Sequence, residues 1–129
     1  RMKPDELEQA IFDFANYDFN EAIRLAESNG FQVAYSNQAF EYWFLLHFNM
    51  YHGYIHRNDY EQMLSQQMKV KYSKKDNFTT KIYGMLLPYQ SEAISRAKKI
   101  LTEFNNTPPS QAVSSTTVFK LVEELNKFI

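Results

Sequence analysis

Apolar residues recur at helical spacing along most of the chain. Leu7, Ala10, Ile11 and Phe14 share one face and Pro4 suits a first turn, so the pattern predicts a helix over residues 4–15. A second helix is expected from Asp18 or Asn20, carrying Ala22, Ile23, Leu25 and Ala26. It stops at Asn29-Gly30, where glycine supplies the left-handed closing residue. Phe31-Gln32-Val33-Ala34-Tyr35 alternates between Gly30 and Ser36-Asn37 and predicts a short strand over 31–35, the one clear strand in the pattern. Phe40 to Phe48 is apolar nearly all round, the mark of a buried helix rather than a surface one.

Residues 49–57 predict an irregular connection around Gly53. Asn58 with Glu61 has the spacing of a capping box and opens a helix through about Gln67. Lys69–Asn77 is a lysine-rich loop. Phe78–Leu87 is helical until Pro88 interrupts it, and Tyr89–Phe104 continues with Ala93, Ile94, Ala97, Ile100 and Leu101 on one face. Residues 105–114, with Pro108-Pro109, form a loop before a last helix capped by Ser115 or Thr116 and carrying Val118, Leu121, Val122, Leu125 and Phe128.

A lone strand has no ladder partner, and a helix–strand–helix order is the period of an α/β sheet. The chain of 129 residues, which opens on Arg1, is therefore expected to be a single domain or the C-terminal part of a longer α/β protein. Tag residues before Met2 would explain the first letter more simply.

Composition narrows the chemistry. Cysteine is absent, which excludes a disulfide framework, a Cys-ligated metal and a thiol nucleophile, and fits a reducing cytoplasm. The longest apolar run is Tyr42–Leu46, far short of a membrane span, and no secretory signal opens the chain. Eleven Phe, nine Tyr and one Trp suit an aromatic core, with base stacking as the functional alternative. The net charge of −1 hides a segregation: residues 1–66 sum to −6 and residues 67–99 to +6. A basic middle of that size can attract phosphate.

Three histidines give no metal-ligand spacing: His52 and His56 are four apart, but no Glu completes an HExxH arrangement. His47 fits a satisfied core histidine. Three scattered glycines make no phosphate loop, and Ser36 is not in a GxSxG context. Glu41 stands out as the one formal charge between Glu27 and Arg57, on an otherwise apolar helix. Such a carboxylate must be hydrogen-bonded, paired or metal-bound; capping a loop or meeting a lysine is the plainer reading, and the functional one makes Glu41 the candidate catalytic acid. Lys69-Val70-Lys71-Tyr72-Ser73-Lys74-Lys75 interleaves bases with an aromatic, so Lys69, Lys71, Tyr72, Lys74 and Lys75 are the candidate nucleic-acid contacts. Solvated surface lysines are the plainer reading.

Residues 36–48, Ser-Asn-Gln-Ala-Phe-Glu-Tyr-Trp-Phe-Leu-Leu-His-Phe, resemble the S-N-P-x-F-E-x-W-x-L-L-H-F signature of the RloB-like family, which includes the AbiLii abortive-infection proteins. The preceding helix and strand, the Lys/Tyr segment and Ser115-Thr116-Thr117-Val118-Phe119-Lys120-Leu121-Val122 agree with it, so the likeness covers about residues 18–125. Gln38-Ala39 departs from the usual Pro-Cys. The resemblance implies a bacterial anti-phage defence protein of the cytoplasm, encoded in restriction or abortive-infection loci beside an ATPase partner. It also implies an α/β fold with a Toprim-like parallel sheet whose Glu and Asp-x-Asp hold Mg²⁺ for phosphodiester cleavage.

Residues 1–17 supply no such acids on strands, so that centre is expected upstream of this chain and the chain alone is expected to be inactive. Ser36 and Asn37 would then border the active site beside Glu41, at the carboxyl end of the strand. The alternative is a non-catalytic helical module that binds RNA or a protein partner.

Overall fold

The computed structural model describes residues 4–129. It is mostly helical, as expected, and its short strand is paired in a two-stranded antiparallel sheet. The first helix, α1, runs unbroken over Pro4–Ser28. The two helices expected there are one, because nothing between Pro4 and Gly30 is a glycine or proline that would interrupt the ladder. Its end is as expected: Gly30 adopts φ 87°, its N–H meets Glu27 O at 3.1 Å and the Phe31 N–H meets Ala26 O at 3.0 Å. These two bonds make a Schellman closure. Asn20, expected as a possible helix start, lies inside α1, where its side chain reaches another segment. Its Oδ1 accepts from Ser110 N and its Nδ2 donates to Ser110 Oγ, both at 2.9 Å.

The strand sits one step later than expected. Residues 31–34 form no ladder, and β1 is Ser36–Asn37. It pairs antiparallel with β2, Ser115–Thr116, in the register Ser36↔Thr116 and Asn37↔Ser115. Tyr35 extends the pairing by accepting from Thr117 N at 2.8 Å and donating to Thr117 Oγ1 at 2.9 Å. Beyond Thr117 the partner chain turns into a helix, so residues 31–34 have no strand to meet. The Toprim-like parallel sheet is not found among the described residues, whose sheet has two antiparallel strands.

The expected buried helix over 40–48 shortens to α2, Glu41–Leu45, and tightens through His47 N to Phe44 O and Phe48 N to Leu45 O. Tyr42, Leu45 and Leu46 have no exposed surface, and Trp43 is nearly as enclosed. Around them pack Tyr60, Leu64 and Met68 of α3 (Tyr60–Met68), Ala93, Ala97 and Ile100 of α5 (Gln90–Glu103), and Val118 and Phe119 of α6 (Val118–Asn126). Between α3 and α5 lies α4, Asp76–Leu86, followed by a 3₁₀ turn at Leu87–Tyr89 that accommodates Pro88.

The capping box at Asn58 is not made. Residues 57–59 first wind a 3₁₀ turn, which delays α3 to Tyr60, and His56 Nδ1 accepts the Asn58 N–H at 3.1 Å instead. Thr116 combines two roles: it is a strand residue whose Oγ1 also accepts from Val118 N at 3.2 Å, close to the cap expected of it. Among the described residues no helix is long and apolar enough to cross a membrane.

The backbone polar groups around α2 are satisfied from outside it. Arg96 donates to Leu46 O at 2.7 Å, and the Tyr42 hydroxyl to Tyr51 O at 2.7 Å. His47, 3% exposed, places Nδ1 3.0 Å from Trp43 O and sets its ring edge-on to Trp43. Burial is the main force holding the His47 pKa below its ordinary 6.5; its contacts to the Trp43 and Phe44 backbone oppose this, and Arg96 adds to it.

Two outcomes follow from this packing. Leu64→Ala removes a fully buried side chain and should cost about 2–5 kcal/mol in urea unfolding. The outward-facing Tyr83→Ala should cost less than about 0.5 kcal/mol. For His47, the unfolded chain takes up a proton near pH 6.5 that the folded chain resists. Stability therefore falls as pH drops through that value. Unfolding midpoints measured at about pH 7 and about pH 5 should converge in His47→Phe relative to the unsubstituted protein.

Candidate functional site

The signature segment leaves β1 through Gln38 and Ala39 and enters α2 at Glu41. This places the acid in the first turn, where the helix dipole favours negative charge. The Glu41 side chain is 13% exposed and its Oε1 lies 3.0 Å from Lys74 Nζ. The Tyr72 hydroxyl donates to the same oxygen at 3.5 Å, a long contact. Burial first, and then the Glu41 charge, push the Tyr72 phenol up to about 12. The hydrogen bond to Glu41, and then its charge, raise the Lys74 pKa. Glu41 is thus a paired carboxylate that ties the lysine loop to the signature helix.

Glu41 and Lys74 stand on the wall of a cleft of about 490 Å³ that also takes in Gln38, Ala39, Arg57, Asn58, Tyr60 and Glu61. The 3₁₀ turn before α3 brings Arg57 and Asn58 to it, and the first turn of α3 brings Tyr60 and Glu61. Two of these residues bury a polar atom beneath the surface, Tyr60 Oη and Gln38 Oε1, without a hydrogen bond of ordinary length. Burial raises the Tyr60 pKa; the Ser114 hydroxyl and the Gln38 backbone N–H beside the phenol oxygen work against this, and the Glu41 charge adds to it. The Ser114 hydroxyl beside Tyr60 gives its own proton to Gly53 O at 2.6 Å.

The other expected site residues divide. Ser36 and Asn37 do not line the cleft. Ser36 Oγ lies 2.6 Å from Thr116 Oγ1, and Asn37 Nδ2 donates to Pro109 O and Ser110 O, both at 2.9 Å. They hold the sheet and the turn at 109–111 in place. Tyr72 is a core residue rather than a free stacking platform. It is 7% exposed, edge-on to Phe78 at 5.5 Å, tilted against Phe44, and held by its N–H to Ser65 Oγ at 2.8 Å. Lys69, Lys71 and Lys75 are exposed and form no ion pair among the described residues. Lys69 sits in the left-handed conformation that ends α3, at φ 59°.

Sequence reasoning missed Arg57, Tyr60 and Gln38 as members of a common site. One signal was present: Arg57 is the only Lys or Arg between Arg24 and Lys69. For the metal implied by the resemblance, the donor set does not fit. Among the described residues no three His, Asp or Glu side chains come together as ligands, and Glu41 is committed to Lys74.

No curated protein and no solved structure matches the chain. A family model described as RloB-like protein matches residues 5–125, a longer stretch than the 18–125 that the motifs alone cover. With that match running over nearly its whole length, the chain belongs to the RloB-like protein family.

Proposed function

We propose that this chain is the nucleic-acid-facing, non-cutting portion of a bacterial anti-phage defence protein. Membership of the RloB-like family supports the defence role. One observation carries the division of labour: the acid of the signature is bound to Lys74, and among the described residues no three His, Asp or Glu side chains gather as metal ligands. Cleavage assisted by two metal ions needs several carboxylates converging within a few ångströms. In this reading the Mg²⁺-dependent Toprim-type centre, and the ATPase that works with it, lie outside the residues described here.

What Glu41 does instead is hold down the middle of the lysine loop. Lys69, Lys71 and Lys75 project into solvent without a counter-charge among the described residues. Three unpaired ammonium groups on one short loop suit contact with a phosphate backbone, which gains by releasing condensed counterions. Base readout by Tyr72 is not part of this reading, since its ring is enclosed.

The test is fluorescence anisotropy on single-stranded DNA and RNA at increasing salt. The expected result is binding that weakens with salt, and a log–log slope shallower by about 2 after Lys69, Lys71 and Lys75 are all changed to Ala. No binding at low salt would leave the protein-partner alternative standing in its place. The same preparation with Mg²⁺ or Mn²⁺ should leave both nucleic acids intact; cleavage abolished by Glu41→Ala would overturn the non-cutting assignment.

A further inference from the structure

We propose that a hollow beside the lysine loop takes an unpaired base of a single-stranded nucleic acid, with Tyr89 as its stacking platform. The proposal rests on the nucleic-acid reading above and gives it the base contact that Tyr72, enclosed in the core, does not supply.

The hollow, of about 380 Å³, is lined by Phe48, Gln67, Met68, Lys69, Met85 and Tyr89. Three parts of the fold meet there: the segment after α2, the end of α3 with the first lysine of the loop, and the end of α4 with the turn that follows it. Tyr89 is 43% exposed, although its ring rests against Phe48 with centroids 5.6 Å apart. An aromatic ring that is braced yet open loses little freedom when a second flat group stacks on it. Pro88 and the 3₁₀ turn fix the backbone on one side of Tyr89, and α5 fixes it on the other. Met68 and Met85 add polarisable thioethers, which pack against aromatic groups of varied outline. Gln67 is fastened by its Nε2, which donates to the Tyr51 hydroxyl at 2.8 Å.

Charge selects what this apolar hollow accepts. Among the described residues its lining holds one ammonium, Lys69, and no carboxylate. Lys69 closes α3 and opens the loop that carries Lys71, Lys74 and Lys75. Lys81, exposed, lies one turn before Met85 on the same face of α4. The other two hollows differ in this respect. Glu41 and Glu61 line the cleft at the signature helix, and Glu27 and Glu124 line the one between residues 31–34 and α6, so both would repel a phosphate chain. A flat apolar group joined to an anion satisfies the hollow at Tyr89, and a nucleic acid repeats that combination at every residue. Bases inside a duplex are already stacked on their neighbours, so the strand must be single.

Anisotropy titrations of the full chain compare an oligothymidylate with an abasic DNA of equal length, which keeps every phosphate and lacks every base. The same pair is made in RNA with oligouridylate, and the preference in either sugar supports the site. The strand with bases is expected to bind at least about fivefold more tightly than its abasic twin. Tyr89→Ala should cancel that preference and leave the salt slope unchanged, because no charge is lost. Tyr89→Phe keeps the ring and should keep the preference. Tyr83→Ala removes a more exposed tyrosine that does not line the hollow, and should alter neither quantity. In the unsubstituted protein, a strand carrying 5-iodouracil should photo-crosslink to Tyr89 or Phe48 and not to Tyr83, as read by mass spectrometry.

Equal binding of the base-bearing and abasic strands would overturn the base site and leave the lysine-loop reading standing. A preference that survives Tyr89→Ala, or a crosslink that maps elsewhere, would overturn it too. A preference cancelled by Tyr89→Ala, with a salt slope that ignores the lysine triple variant, keeps the hollow and removes the loop. No binding of any strand at low salt removes both.

Discussion

Everything in this fold is arranged around the burial of one five-residue helix. Tyr42, Trp43, Leu45 and Leu46 are enclosed on all sides, which a helix this short cannot achieve by packing one face on a neighbour. Its ends must therefore find partners within the protein. The Leu46 carbonyl just past its end is answered by Arg96, the Trp43 carbonyl within it by the His47 ring, and Tyr42 reaches out to the Tyr51 carbonyl. An unanswered carbonyl at any of these places would forfeit much of what the burial contributes. The packing of α3, α5 and α6 follows from the need to cover this helix, and the cleft is where its first turn meets the start of α3.

A second layer of order comes from polar side chains that fasten distant segments. Asn20 and Asn37 both bind the turn at 109–111, one from α1 and one from β1. Ser36, Thr116 and Thr117 add hydroxyl contacts to a sheet of only two residues per strand. A ladder that short has little stability of its own. The side chains extend it, and they explain why the signature opens on Ser-Asn rather than on the apolar alternation before it.

Helices from residue 58 onward were legible to within about two residues, because their apolar spacing and Pro88 are local signals. The membership suggested by the signature held as well. The strand was displaced from 31–35 to 36–37 because its partner lies some 80 residues away and pairing, not alternation, decided the boundary. The same limit applies to the site. Glu41 could be singled out as an acid in need of a partner, but its bond to Lys74 is a tertiary fact, as is the gathering of Gln38, Arg57 and Tyr60. Tyr72 shows the converse: a residue that looked free in a basic loop is enclosed by the core.

The pairing of Ser36 with Thr116 also sets an order of events during synthesis. The signature helix is made early, yet the strand that precedes it cannot close until Thr116 and Thr117 have left the ribosome. Through that interval Trp43, Leu45 and Leu46 lack Val118 and Phe119 as neighbours. A nascent chain stalled short of these residues presents an aromatic, apolar segment of the kind that chaperones hold and proteases clear. Burial of the signature helix is therefore completed only by the last helix to be made.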